Sequence, residues 1–132
     1  MDKTTYINKL FELLDGFTFH QDAVPEIIAI LKNKNPAKFL EVFEKRISEL
    51  KKYHYRVTEI FTKKKFENLT HAKDLYSMHV VSPGLNVRIL YAYDGDEIIL
   101  CCFNEIGGKS NTDYTPHIPK AHARFNEIKK SK

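Results

Sequence analysis

The chain has 132 residues, of which 42% are hydrophobic and 29% charged, and its formal net charge is +4 at pH 7. These values are typical of a single globular domain and exclude a disordered chain. No apolar run approaches the roughly 20 residues of a membrane-spanning helix, and the N-terminus lacks a signal-peptide core. We therefore expect a cytoplasmic protein, in which thiols are usually reduced. The adjacent Cys101 and Cys102 should not pair with each other, because neighbouring strand residues point to opposite faces.

The first third of the chain is predicted to be mainly helical. Apolar residues recur three and four positions apart, which predicts helices over 4–15, 22–33 and 36–52. Asn35 followed by Pro36 is the order favoured at a helix start. The alternating stretch "FTFH" at 17–20 is predicted to be a short strand. Because the last two helices have a very short connection, we expect them to lie antiparallel.

The segment 53–70 mixes β-branched residues, aromatic residues and lysines, and we interpret it as a basic connector with some helix or strand. Residues 45–73 contain nine Lys or Arg against three Glu, which gives this part of the chain a net charge of +6. Such local positive charge is typical of a surface that binds a polyanion, nucleic acid first. A solvated helix face followed by a lysine-rich loop is the alternative, and charge alone does not decide between the two.

From residue 74 the hydrophobic period changes to two, which predicts antiparallel strands over 75–81, 86–93 and 96–103. Ser82-Pro83-Gly84 forms the first predicted turn, and Asp94-Gly95 the second, a two-residue type I′ hairpin. After a loop at 106–113, Thr115-Pro116 opens the last helix. The predicted fold is α+β, with N-terminal helices packed on a small antiparallel β-meander and a C-terminal helix.

The two turns set a register for the meander. A four-residue loop at 82–85 places His79 opposite Arg88, and a two-residue loop at 94–95 places Arg88 opposite Cys101. One face of the sheet is then apolar and should pack on the N-terminal helices: Tyr76, Met78, Val80, Val87, Ile89, Tyr91, Ile98, Leu100 and Cys102. The other face is mixed: Ser77, His79, Arg88, Leu90, Ala92, Ile99, Cys101 and Phe103.

Arg88 beside His79 has two interpretations. A guanidinium held on a rigid strand is a good phosphate ligand, because its fork is planar and always charged. A cationic neighbour also favours neutral imidazole near pH 7, so His79 could accept a proton. The alternative is structural: Arg88 pairs with Glu105, which the register puts on the same face, and His79 is an ordinary half-buried residue.

The remaining candidates are weaker. Tyr114, just before the last helix, either packs there or presents a hydroxyl or a stacking ring. No Cys or His pair has zinc-site spacing, so we expect no metal. The loop "GGKSNTDY" lacks the strand and helix of a nucleotide P-loop, and no serine elbow or Cys-His signature is present. We therefore expect no cofactor.

The second half of the chain combines several short motifs: "DLYSMHV", "VRILYAY", an apolar strand ending in Phe, a Gly-Lys loop and the closing helix "IPKAHARFNEI". In this combination it resembles the RelE/ParE superfamily of type II toxin–antitoxin systems, in its HigB or phage Gp49-like branch. The resemblance covers about residues 17–130. Residues 1–16 are therefore interpreted as an extra N-terminal helix, and 17–132 as a single RelE-like toxin domain.

The resemblance implies a toxin silenced by a cognate antitoxin protein. RNA-cutting members are metal-independent mRNA endoribonucleases that usually act on the ribosome and inhibit translation. The 2′-hydroxyl attacks the adjacent phosphate, basic groups stabilise the transition state, and a proton donor assists the leaving 5′-oxygen. The ParE branch differs, because it poisons DNA gyrase without cutting RNA.

The resemblance also assigns residues. Arg88 matches the middle-strand arginine, with a phosphate-binding role, and His79 falls at a strand lysine position, where it could be the general base. Tyr114 matches a tyrosine that orients the nucleophile or stacks on a base. Lys109 lies in the loop that carries further basic groups. A nucleic-acid track is expected along the connector: Arg56, Lys63, Lys64, Lys65 and Lys73.

The chain departs from the family pattern at the predicted site. Ser77 and Glu105 stand near positions where many members carry Lys or Arg, and the loop "NEIGGKSNTD" is longer and less basic. These changes remove positive charge from the predicted active face. A ParE-like or ribosome-binding inhibitor that does not cut RNA, or a degenerate phage-derived relative, therefore stays open as an alternative.

Overall fold

The computed structural model describes residues 3–33, 35–53, 60, 65–69, 72–105 and 114–131. Within these residues it has four helices and a five-stranded mixed sheet, so the predicted α+β class is confirmed. In chain order the elements are α1 (Lys3–Leu14), β1 (Thr18–Phe19), α2 (Ala23–Asn33), α3 (Pro36–Lys52), β2 (Phe66–Asn68), β3 (Tyr76–Ser82), β4 (Leu85–Asp94), β5 (Asp96–Asn104) and α4 (Ile118–Lys130). None of the helices in the described ranges is long and apolar enough to cross a lipid bilayer.

Helix ends follow local capping chemistry. The Asn35 side chain accepts a hydrogen bond of 3.2 Å from the backbone N–H of Lys38, and Pro36 occupies the first turn of α3, as predicted. α4 begins at Ile118, three residues after the predicted start at Thr115. The reason is that a turn occupies 115–117 and a second proline, Pro119, fills the first helical turn.

The sheet order is β1-β5-β4-β3-β2. The predicted antiparallel meander forms its centre, while β1 pairs with β5 in parallel at one edge and β2 pairs with β3 antiparallel at the other. The sheet is therefore mixed rather than purely antiparallel. The short strand predicted at 17–20 is present as β1, and the segment predicted as a connector contributes β2.

The predicted register is right between β3 and β4, where His79 lies opposite Arg88. It is wrong between β4 and β5, where Arg88 lies opposite Phe103 instead of Cys101. The turn is tighter than a type I′ hairpin, because Asp94 pairs with Asp96 around Gly95 alone, and that glycine has a φ of +82°. A bulge at Leu90/Tyr91 adds a second shift.

The register change redistributes β5 between two cores. Ile98 and Leu100, predicted to face the N-terminal helices, lie in the core under α4, and Ile99 lies in the core with α1, α2 and α3. The bulge then restores the predicted alternation, so Cys101 and Cys102 lie in different cores as free thiols. The mixed face is thus largely covered by α4, and its charged residues lie beyond the apolar part of that face.

α1 packs on the helical side of the sheet. Leu10 and Leu14 are buried in the same core as the apolar stripes of α2 and α3. The division of the chain into an extra helix at 1–16 and a toxin domain at 17–132 stays a prediction.

Candidate functional site

Three of the predicted catalytic residues come together on the mixed face of the sheet. His79 on β3 and Arg88 on β4 are directly opposite each other, and each side chain is 15% exposed. Tyr114, just before α4, reaches the same group through Glu67 on β2. We call this set the Arg88 cluster, and it consists of Glu67, His79, Arg88, Glu105 and Tyr114.

Glu105 orients the guanidinium. Arg88 Nε donates a hydrogen bond of 3.1 Å to Glu105 Oε2, and the Glu105 side chain is only 7% exposed. Its backbone N–H donates to the Asn86 carbonyl at 2.9 Å, which continues the strand ladder past the end of β5. The carboxylate is therefore fixed by the backbone. The ion pair that the sequence offered as the structural alternative for Arg88 is present.

His79 lies against the same carboxylate. Its Nε2 is 3.6 Å from Glu105 Oε2 and donates a hydrogen bond to Asn86 Oδ1. Burial lowers the pKa of His79, and the positive charges of Arg88 and Lys65 lower it further, while Asn86 and Glu105 oppose this shift. The imidazole is consequently neutral at neutral pH, with burial as a larger cause than the charge of Arg88.

The backbone of His79 is held from two sides. Its N–H donates to the Lys65 carbonyl at 2.8 Å, just before β2 begins. Its carbonyl accepts a hydrogen bond of 2.9 Å from Arg46 Nε, on α3 at the opposite face of the sheet. The position of the imidazole is thus set by the edge strand and by the helical layer together, and the Arg46 contact could not be predicted from the sequence.

Tyr114 is a hydrogen-bond donor in this cluster. Its hydroxyl donates to the Glu67 carboxylate and lies 2.9 Å from the buried Ser77 Oγ. Burial and the Glu67 carboxylate raise the pKa of Tyr114 to about 12, so the phenol stays protonated. The ring packs edge-on against Phe103, with 6.1 Å between ring centroids. Because Phe103 lies opposite Arg88, this contact brings the phenol to the charged end of the sheet.

Glu67 is the residue that sequence reasoning missed. Its Oε1 lies 3.6 Å from Arg88 Nη1 and also accepts from Tyr114. It reaches them because Glu67 on β2 pairs with Ser77 on β3, which puts its side chain on the mixed face. The available signal was the alternation of apolar and polar residues in "FEN". It predicts the position of the Glu67 side chain only once β2 is known to pair with β3.

The other predicted residues fall elsewhere or outside the described chain. Lys65 lies next to His79, whose backbone N–H donates to the Lys65 carbonyl. Among the described residues, it is the one member of the predicted nucleic-acid track that lies at the cluster. The carbonyl of the exposed Lys73 accepts a hydrogen bond of 2.9 Å from His122 on α4. The remaining positions lie outside the described residues: Arg56, Lys63, Lys64 and Lys109.

The electrostatics of the cluster differ from a simple basic face. One guanidinium is set against the two carboxylates of Glu67 and Glu105, and His79 is neutral, so the adjacent Lys65 is needed to balance the formal charge. Chemically the cluster offers a proton acceptor, a cation and a protonated phenol side by side. Within the ranges that the structure describes, no three His, Cys, Asp or Glu side chains are grouped to hold a metal ion.

Comparison of the chain with protein-family models, with curated proteins and with solved structures gave no match. The Arg88 cluster and the motifs in the strands that carry it are therefore the features that bear on function.

Proposed function

We propose that this protein is the toxin of a type II toxin–antitoxin pair with a RelE-like arrangement, and that it acts in the cytoplasm as a metal-independent mRNA endoribonuclease. Ribosome-associated cleavage then inhibits translation, and a cognate antitoxin silences the toxin by covering the cluster. The observation that carries the proposal is the meeting of an imidazole, a guanidinium, a carboxylate and a phenol on one end of the sheet. These groups can supply the base, the acid and the cation used in acid–base cleavage of RNA.

Each group has a role in this reaction. Neutral His79, whose Nε2 donates to Asn86, takes the proton of the attacking 2′-hydroxyl on its other ring nitrogen, Nδ1. The 2′-oxygen bonds to phosphorus while the bond to the 5′-oxygen breaks, which leaves a 2′,3′-cyclic phosphate. Arg88 stabilises the charge on the phosphoryl oxygens, and the protonated Tyr114 donates toward the departing 5′-oxygen.

A second candidate function is favoured by the ion pairs themselves. Arg88 is already bound by two carboxylates, and their negative charge opposes the approach of a phosphate. A ParE-like or ribosome-binding inhibitor that binds its target without cutting RNA would need no exposed guanidinium. A degenerate phage-derived relative would also tolerate these pairs.

Controlled expression and RNA mapping test the proposal. Purified protein is incubated with an mRNA, with and without ribosomes, and the 5′ ends of the fragments are mapped. We expect the wild type to cut mRNA and arrest growth. The cleavage rate of Arg88→Ala should be at least roughly 100-fold lower, as is typical when a group that stabilises an oxyanion is removed. Lys38→Ala, on the exposed surface of α3, is the matched control and should cleave like the wild type.

The alternatives give distinct results in the same experiment. Growth arrest with intact RNA would contradict the nuclease and support the non-cutting inhibitor. If the protein neither arrests growth nor cuts RNA, both the nuclease and the non-cutting inhibitor are contradicted. The degenerate relative then remains. Coexpression with a small protein encoded by a neighbouring reading frame should abolish the arrest if that protein is the antitoxin.

A further inference from the structure

We propose that the Glu67 carboxylate is an internal substitute for a phosphate group: it occupies an anion subsite made by Arg88 and Tyr114, and it leaves when a phosphodiester binds. The assignment of the ligand as an RNA phosphodiester rests on the function proposed above. The anion subsite itself rests on the contacts of Glu67.

One oxygen atom marks the subsite. Glu67 Oε1 accepts the hydrogen bond from the Tyr114 hydroxyl and lies 3.6 Å from Arg88 Nη1. Ser77 Oγ, 2.9 Å from the Tyr114 hydroxyl, supports that phenol from the floor of the sheet. Donors from β4 and from Tyr114, four residues before α4, thus converge on an anionic oxygen supplied by β2. A phosphoryl oxygen has the same charge and the same requirement for such donors.

The two carboxylates around Arg88 differ in how firmly they are held. Glu105 is 7% exposed and its backbone extends the β-ladder, so it keeps the Nε edge of the guanidinium in place. Glu67 is 48% exposed and belongs to β2, a three-residue strand at the edge of the sheet. When Glu67 turns away, Arg88 remains oriented by Glu105, with Nη1 and the Tyr114 hydroxyl directed at the vacated position.

Exchange of Glu67 for phosphate is energetically accessible. An ion pair with an exposed partner contributes little to stability, because water and salt screen it. A phosphodiester brings the same single negative charge and two non-bridging acceptor oxygens to the same donors. The resting protein is thereby self-inhibited, since any phosphodiester has to compete with a carboxylate that is tethered beside the guanidinium.

The test uses binding, so it does not depend on cleavage. The probes are inorganic phosphate and a 2′-deoxy dinucleotide, which carries one phosphodiester but no 2′-hydroxyl nucleophile. Affinities are measured by NMR titration of the full chain at fixed ionic strength. We expect Glu67→Gln to bind both probes at least tenfold more tightly than the wild type, and Tyr114→Phe or Arg88→Leu placed in the Glu67→Gln background to remove the gain.

A matched control separates the subsite from net charge. Glu41→Gln removes the same charge from an exposed glutamate on α3 that pairs with Lys38 and Lys45. We expect it to leave both affinities unchanged. Equal gains in Glu67→Gln and Glu41→Gln would overturn the proposal, and so would identical affinities in the wild type and Glu67→Gln. If Arg88→Leu fails to fold, the Tyr114→Phe double variant still decides.

The subsite and the nuclease can fail separately. Tighter phosphate binding by Glu67→Gln without any mRNA cleavage would support the subsite and contradict the endoribonuclease. Cleavage by the wild type with unchanged phosphate affinity in Glu67→Gln would contradict the subsite and support the endoribonuclease. If both hold, Glu67→Gln should cut mRNA faster than the wild type at limiting RNA concentration.

Discussion

Two arginines on the mixed side of the sheet are paired with carboxylates, but in different ways. Arg124 on α4 makes a two-pronged contact with Glu26 on α2, with Nη1–Oε1 and Nη2–Oε2 distances of 2.9 and 3.0 Å. Arg88 makes single-point contacts with two separate carboxylates, one buried at Glu105 and one exposed at Glu67. Only the first arrangement uses the full fork of the guanidinium on one partner.

The Arg124 pair is also joined to the backbone. Arg124 Nη1 donates to the Leu100 carbonyl at 2.9 Å, and Glu26 Oε1 accepts from the Cys102 N–H at 3.1 Å. Lys120 Nζ adds a contact of 3.2 Å to Glu26. These bonds satisfy the edge of β5 just past the two residues that pair with β1. An ion pair bound to backbone groups is part of the fold, whereas one made of side chains alone can be exchanged for a ligand.

The largest expected effect is on stability, at Arg124. Arg124→Leu leaves the Glu26 carboxylate and the Leu100 carbonyl without their main donor, at a site where Glu26 is 23% and Arg124 12% exposed. We expect a loss of about 2–3 kcal/mol in the free energy of unfolding, below the range for fully buried pairs because water reaches this one. Urea denaturation followed by circular dichroism measures it.

Arg88→Leu is the matched substitution in the other cluster. It breaks no bond to the backbone and leaves His79 beside Glu105, but that carboxylate is more buried than Glu26, so we expect a loss of about 1–2 kcal/mol. The contrast between the two arginines is mistaken if the two variants lose the same stability. It is also mistaken if Arg88→Leu is the more damaging change, because Arg88 would then be a structural residue.

The titration of His79 gives a further distinction. Burial first, and then Arg88 and Lys65, lower its pKa below the usual value near 6.5. Because the unfolded chain takes up the proton first, the stability linked to this group is complete above about pH 6.5 and is lost as the pH falls from there toward the folded-state pKa. NMR of the imidazole should show titration below pH 6.5 in the wild type, and at higher pH in Arg88→Leu. An unchanged pKa in that variant would mean that the guanidinium does not act on His79.

Parts of this site could be predicted from the sequence because their causes are local. The Pro83-Gly84 turn and the alternation of side chains are enough to place His79 opposite Arg88. The partner of Arg88 on β5 could not be predicted, because it depends on the one-residue turn at Gly95 and on a bulge that leaves Leu100 buried under α4. That packing is a property of the whole fold. The role of Glu67 could not be predicted either, because it depends on the pairing of β2 with β3 at the edge of the sheet. The three residues of β2 are too few to predict that pairing.

The smallest expected effect is on stability in Glu67→Gln. The side chain is half exposed, its contact with Arg88 is 3.6 Å long, and the amide keeps the shape that accepts from Tyr114. We expect a change in the free energy of unfolding within about 0.5 kcal/mol in either direction, measured beside Glu41→Gln in urea. A variant with unchanged stability that binds phosphate more tightly would show that Glu67 weakens phosphate binding without stabilising the fold. A loss of stability like that of Arg124→Leu would instead place Glu67 among the residues that hold the sheet together, and phosphate could not then displace it.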